Sequence, residues 1–219
     1  DEVLSAVYTD QLKKLNERLS KIEVDYLRQV PIVKITGEFW AQTTEGDGNF
    51  KMYKYLEDEG AEIIIEPIST WLLYLLYDGN QYITDRYDSN KTLKQKINYL
   101  RKKLLIKLGE YLLSREYNRF RKAVNFLPQS LTDQYLLEKL AHQYYHSRAR
   151  GGEGHLEVAK SIYHTINHLS HMVMSLKPFG CLPSTQSDGV HSVVTSHYPE
   201  MNFLPIETSA EGEINAYSR

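Results

Sequence analysis

The residues best suited to chemistry lie in one short segment near the end of the 219-residue chain. Cys181 is the only cysteine of the sequence, and Ser184, Thr185, Gln186 and Ser187 follow it with side chains that form hydrogen bonds. Prolines and glycines around Cys181 interrupt regular structure, so we expect a turn that leads into a helix beginning near Ser187. The segment predicts a ligand-binding turn, although a lone cysteine is often only a small buried hydrophobic residue.

A nucleophilic role for Cys181 would require a nearby base. His191 and His197 are the candidates in the sequence, because an imidazole can accept the proton of a thiol. One cysteine with a histidine nearby is a weak pattern. The sequence therefore does not fix a self-contained catalytic activity.

Two other candidate segments follow predicted strands at residues 31–37 and 202–207. In open parallel sheets, ligands bind at the carboxyl ends of the strands, where helix amino-termini favour anions. The segment after the first strand matches neither the dinucleotide fingerprint nor the phosphate loop, so a plain strand-to-helix loop is the alternative. The residues predicted to contact a ligand in these two segments are Gly37, Glu38, Thr43, Thr44 and Glu207.

Histidines recur at helical spacing in two places. His142 and His146 form one set, and His164, His168 and His171 form the other. Such spacing can place imidazoles on one helix face as metal ligands, but the glutamate of a metalloprotease motif does not accompany them. We therefore favour exposed histidines on a polar helix face over metal ligands.

A strongly basic segment covers residues 91–122. It contains eleven Lys and Arg residues against Glu110 and Glu116, a local balance of about +9. Tyrosines and Phe120 interleave with these charges at a spacing that favours a helix core. We expect a solvated face or a contact with an acidic surface, in this chain or in a missing part of the protein, and we expect no nucleic-acid partner.

The strand and helix patterns predict an α/β fold with a Rossmann-like parallel sheet interrupted by a large helical insertion. A strand at 31–37, a helix at 50–59 and a strand at 61–67 form a βαβ unit, whose strands must be parallel. Helices are predicted at 93–126, 132–146 and 156–174, and the sheet resumes near residues 177–181. The α/β part therefore comprises residues 1–68 and 176–219, with the insertion at residues 69–175.

Composition and the two ends of the chain restrict the class of protein. The net charge is −2, which favours neither an acidic nor a basic partner for the molecule as a whole. One cysteine and no secretory pattern indicate the cytoplasm, and the apolar runs are too short to span a membrane. Helical patterns at residues 1–26 and 214–219 lead us to expect a fragment of a longer chain.

Several stretches together resemble one known family. The stretches are VKITGEFW at 33–40, TTEGDGN at 43–49, LEDEGAEI at 56–63, GCLPSTQSDG at 180–189, FLPIET at 203–208 and EGEIN at 211–215. They resemble the carboxyl-terminal region of the large activases of the BadF/BcrA type, which are specific for CoA substrates and related to 2-hydroxyacyl-CoA dehydratases. The similarity covers most of the chain and is most specific around Cys181.

This resemblance implies a dehydratase-like module of an iron–sulfur protein that links ATP-driven electron transfer to acyl-CoA chemistry. Cys181 stands where the family has the last cysteine ligand of a four-iron four-sulfur cluster. One thiolate cannot hold a cuboidal cluster, so we expect none in the isolated chain and the other ligands elsewhere in the full-length protein.

The expected partners are the remaining domains of the same chain, an acyl-CoA substrate or a protein redox partner. The module is not expected to be active alone. A non-catalytic docking or assembly module that kept the fold is the alternative.

Overall fold

The computed structural model describes residues 5–87, 92–149 and 151–209 of the chain. In this part of the chain, four parallel strands form one sheet in the order β2-β1-β3-β4. The strands are β1 (Ile32–Gly37), β2 (Glu62–Ile64), β3 (Met172–Pro178) and β4 (Phe203–Thr208). The predicted Rossmann-like α/β fold with a helical insertion is confirmed.

The helices of the described residues are numbered along the chain. They are α1 (Val7–Leu19), α2 (Phe39–Thr43), α3 (Met52–Asp58), α4 (Ile68–Asp85), α5 (Leu93–Ala123), α6 (Gln134–Ala141), α7 (Gly154–Ile166) and α8 (Leu182–His197). No helix within these residues is both long and apolar enough to cross a membrane. The predicted helix start at 214–219 and the EGEIN stretch at 211–215 lie outside the described residues.

The chain forms two compact units. One unit comprises Asp1–Leu27 and Pro67–Gln134, and the other comprises Arg28–Glu66 and Tyr135–Arg219. The first contains α1, α4 and α5, and the second contains the sheet with the remaining helices. In contrast to the sequence-based boundaries, α1 therefore belongs to the helical unit, and α6 and α7 belong to the α/β unit.

The third strand begins earlier than the sequence predicted. Helix α7 ends at Ile166, and His168 adopts a left-handed backbone conformation with φ of +50°. The following apolar run pairs with β1 from Met172 onward. The prediction of one helix over residues 156–174 was wrong because a short apolar run fits a helix and a buried strand equally well.

Helix α8 also begins earlier than predicted. It starts at Leu182 instead of near Ser187, with Pro183 in its first turn. Proline is compatible with this position because the first amide groups of a helix have no intrahelical acceptor. The prolines and glycines around Cys181 therefore mark the start of the helix, and the predicted turn is limited to the residues between β3 and Leu182.

The two faces of the sheet differ in polarity. Side chains alternate along a strand, so Val33 and Ile35 point to one face, where they join an apolar core with residues from α2, α3 and the neighbouring strands. Lys34 and Thr36 point to the other face, which α7 covers. Four polar side chains on this second face are buried: Lys34, Thr36, Ser175 and Lys177.

Candidate functional site

The predicted ligand-binding segments lie at one edge of the sheet. Because β1, β3 and β4 are parallel, their carboxyl ends share this edge. Gly37 ends β1, Glu207 is the penultimate residue of β4, and Cys181 follows β3 by three residues. Glu207 is exposed and lies opposite Lys177 in the strand register.

Gly37 allows β1 and β3 to approach closely at this edge. Its φ of +103° lies in a region that side-chain-bearing residues rarely adopt, and a Cβ atom here would overlap the Leu176 carbonyl oxygen. The amide of Glu38 donates to that same oxygen at 2.8 Å. Gln42 Nε2 donates to the Gly37 carbonyl at 2.6 Å. A glycine is therefore required at this position for β1 and β3 to pair as closely as they do.

The other predicted residues of the first loop serve mainly to form α2. Glu38 Oε2 accepts a hydrogen bond from the Ala41 amide at 2.9 Å and caps the helix amino-terminus. The Thr43 hydroxyl donates to the Phe39 carbonyl at 3.0 Å. Thr44 is exposed at the end of the helix.

Cys181 is the amino-terminal cap residue of α8 and is partly exposed. The amide and the hydroxyl of Thr185 both donate to the Cys181 carbonyl, at 2.9 and 2.8 Å. The Cys181 amide donates to the Pro178 carbonyl at 3.2 Å. These hydrogen bonds fix the backbone that carries the thiol.

The remaining predicted side chains of this segment fasten α8 to the rest of its unit. Gln186 Oε1 accepts a hydrogen bond from the Tyr145 hydroxyl at 2.7 Å. Ser184 and Ser187 are buried, and the Ser187 hydroxyl donates to Glu157 Oε2 at 2.7 Å. Ser187 therefore lies in the interior.

A buried polar network lies beneath this edge. Glu157 of α7 accepts hydrogen bonds at Oε1 from the Ser175 hydroxyl at 2.6 Å and from Lys177 Nζ at 3.3 Å. Lys177 Nζ also donates to the carboxylate of Asp188 on α8. Since Glu157 and Lys177 are almost completely buried, this network ties the sheet to both helices through charged groups.

His191 extends the network along α8. Its Nδ1 atom lies 2.7 Å from the Ser187 carbonyl oxygen, which can only accept, so we assign the ring proton to Nδ1. Nε2 lies 3.2 Å from the Ser161 hydroxyl oxygen, whose proton donates to the Glu157 carbonyl. Burial lowers the pKa of His191, against the attraction of Glu157. Burial therefore favours the neutral form of the ring, which stacks on Phe203 with 3.7 Å between ring centroids.

Three side chains of this network are of types that bind metal cations: Glu157, Asp188 and His191. Their potential ligand atoms all lie within 4.8 Å of one another. However, the Lys177 ammonium contacts both carboxylates and supplies the positive charge that a metal ion would otherwise provide. The arrangement is therefore an ion-pair network that holds α8 in place.

A second buried charged group lies on the same face of the sheet. Lys34 Nζ is 3.5 Å from Glu66 Oε1. Burial lowers the pKa of Lys34 to about 8, partly offset by Glu66 and further lowered by Lys160. Burial, with a smaller effect of Lys34, lowers the pKa of His164 to about 4. Burial on this face of the sheet thus weakens proton binding by both Lys34 and His164.

The second histidine set does not lie on one helix face, so that prediction was wrong. His164 is buried on α7, but the helix ends before His168. His168 and His171 border a pocket of about 350 Å³ near the amino ends of β3 and β4, at the opposite edge of the sheet from Cys181. The His171 Nδ1 atom accepts a hydrogen bond from the Ile32 amide at 2.9 Å.

The first histidine set likewise follows the end of a helix, since α6 ends at Ala141. The rings of His142 and His146 are 4.4 Å apart. His142 Nδ1 lies 2.8 Å from the Ser147 hydroxyl, and His146 Nδ1 accepts from the Arg148 amide. The Nδ1 atom of each ring thus contacts a protein group.

The two histidines considered as a base for Cys181 take part in other interactions. His191 lies in the buried network, and His197 Nδ1 lies 2.9 Å from the Tyr144 hydroxyl. The network residues Glu157 and Lys177 were missed by the sequence analysis. A lysine inside an apolar strand, as at Lys34 and Lys177, was the available signal, because a buried ammonium requires a partner.

Comparisons with family models, with curated proteins and with solved structures found no match for this chain.

Proposed function

We propose that this chain is the dehydratase-like module of an activase-type iron–sulfur protein that links ATP-driven electron transfer to acyl-CoA chemistry. The observation that supports this proposal best is the position of Cys181. The thiol-bearing residue is partly exposed, begins a 16-residue helix and lies at the carboxyl edge of a parallel sheet. Ligands of open α/β sheets bind at this edge.

The chain fits a cluster only as the source of one ligand. Iron–sulfur clusters of the four-iron type are commonly held by four cysteine thiolates, and the sequence contains one cysteine. The cluster would carry single electrons, and its other ligands would come from another part of the intact protein or from a partner.

The chain's own residues would position the thiol and bind the substrate. The Glu157–Lys177–Asp188 network holds α8 against the sheet, and α8 carries Cys181 at its start. The exposed Glu207 and the loop after Gly37 lie along the same edge. We propose that an acyl-CoA thioester or a protein redox partner binds there.

The test is anaerobic reconstitution of the intact protein with iron and sulfide, followed by measurement of both per chain. Cys181→Ser should lower the iron content, whereas Ser196→Ala, an exposed change on the same helix, should leave it unchanged. Equal iron content in all three proteins would reject the ligand assignment. A non-catalytic docking or assembly module would then be the better account.

A further inference from the structure

An apolar stripe runs along one exposed face of α5. Its six side chains are between 48% and 75% exposed: Leu93, Ile97, Leu100, Leu104, Leu108 and Tyr111. Successive members are three or four residues apart, so they line one side of an α-helix. Helices in folded proteins normally bury such a stripe against another element.

A different side of α5 holds the helix in its own unit. A Cβ atom added at Gly109 would lie 3.7 Å from Leu76 of α4, and one added at Gly79 of α4 would lie 3.8 Å from Ile106. The helix thus packs on α4 through Ile106 and Gly109, which point away from the stripe on a helix with 3.6 residues per turn. The stripe is therefore not needed for packing on α4.

From Leu93 to Leu104, the spacing of the stripe is that of a coiled-coil seam. With Ile97 at heptad position a, Leu100 occupies d, and Leu104 and Tyr111 occupy the next two a positions, whereas the d position between them is Lys107 and Leu108 falls at e. Leu93 is at the preceding d position. The e and g positions beside Leu93 through Leu104 all carry basic residues: Lys94, Lys96, Arg101 and Lys103.

We propose that this stripe binds an amphipathic helix of another protein segment, one with an apolar seam and Glu or Asp at its e and g positions. Apolar side chains would pack across the seam, and the acidic flanks would pair with the four basic flanking residues. The proposal makes the acidic contact expected for residues 91–122 more specific. It does not depend on the iron–sulfur assignment.

The charges disfavour a second copy of this chain as the occupant. Pairing α5 with itself in either direction places e and g positions of the two helices near each other. Because these positions are basic over two heptads, such a pair would bring like charges together. An anionic bilayer would also attract basic residues, and the experiment below distinguishes it from an acidic helix.

The test uses the full chain and a fluorescent synthetic helix of about four heptads, with Leu at a and d and Glu at e and g. A matched peptide carries Lys in place of Glu. We expect the Glu peptide to raise fluorescence anisotropy on binding, with an affinity that falls as salt rises, because the flanking charges are exposed. The Lys peptide should bind more weakly.

Two pairs of substitutions separate the apolar and charged contributions. Leu100→Gln with Leu104→Gln should weaken binding of the Glu peptide by about tenfold or more, because both exposed leucines become buried on binding. Arg101→Glu with Lys103→Glu should weaken it and shift the preference toward the Lys peptide. Lys139→Glu, on exposed α6 surface, is the control and should leave binding unchanged.

Four outcomes would overturn the proposal. Equal binding of the two peptides would show that the flanking charges do not select the partner. Unchanged binding by the leucine variant would show that the apolar stripe is not the binding surface. Binding to phosphatidylserine vesicles without binding to the Glu peptide would assign the stripe to a membrane surface. Self-association of the wild-type chain that the leucine variant abolishes would assign it to a second copy.

Discussion

Lys177 of β3 and Glu157 of α7 form an ion pair, with 3.3 Å between Nζ and Oε1, inside the α/β unit. Both side chains are nearly inaccessible to solvent, and Glu157 also accepts hydrogen bonds from Ser175 and Ser187. A carboxylate in such a position is stable only because both of its oxygens face donors. The pair is therefore the centre of the contact between α7 and the sheet.

Glu157→Gln should lower the free energy of unfolding by about 3 kcal/mol, because it leaves the Lys177 ammonium buried with one fewer counter-charge. Urea unfolding followed by circular dichroism measures this change. The exposed Glu200→Gln is the control.

Combining Glu157→Gln with Lys177→Met should cost less than the sum of the two single changes, because the two groups interact directly. Strict additivity would contradict the assignment of the pair.

Acid should destabilise the fold through buried histidines. Burial lowers the pKa of His155 and of His164 to about 4, whereas an unfolded chain has a value of about 6.5. Between these values the unfolded state binds protons that the folded state does not. Stability is therefore fully present above about pH 6.5 and falls toward pH 4, by about 3 kcal/mol for each histidine.

His155→Phe tests this effect, because the substitution keeps an aromatic ring beside Tyr145 and removes the titrating group. The variant should lose stability less steeply than the wild type from about pH 6.5 to 4. Above about pH 7 the two proteins should show parallel pH dependence. Identical slopes below pH 6.5 would show that His155 is not a buried neutral group.

Gly37→Ala should strongly destabilise the chain. The left-handed backbone and the overlap of a new Cβ with the Leu176 carbonyl both oppose the substitution, and we expect a loss of at least about 2 kcal/mol. Gly48→Ala is the matched control, because a Cβ there meets no atom within 4 Å. Equal melting temperatures of the two variants would contradict the close approach of β1 and β3.

The parallel sheet could be predicted from sequence because its signal is local. The run at 31–37 is apolar and ends in glycine, and a predicted helix separates it from the next strand, a βαβ pattern that requires parallel strands. The start of β3 could not be predicted in this way. Met172 to Met174 fit the apolar pattern of the preceding helix, and only pairing with β1 makes them a strand.

The interior of the candidate site depends on contacts between distant residues. Ser187 was predicted to face a ligand, yet it donates to Glu157, thirty positions earlier in the chain. No local pattern reveals which side of α7 faces the sheet, since most of that helix is buried. The edge that carries Cys181 could therefore be anticipated from strand ends, whereas the network that supports it could not.

The reactivity of the Cys181 thiol tests the central claim most directly. Cys181 is partly exposed, so iodoacetamide should reach it when no metal is bound, and peptide mapping by mass spectrometry identifies the modified residue. In the intact, anaerobically reconstituted protein we expect little modification of Cys181, and extensive modification after iron is removed with a chelator, because a metal-bound thiolate is protected. Equal modification of Cys181 before and after iron removal would contradict its assignment as a cluster ligand.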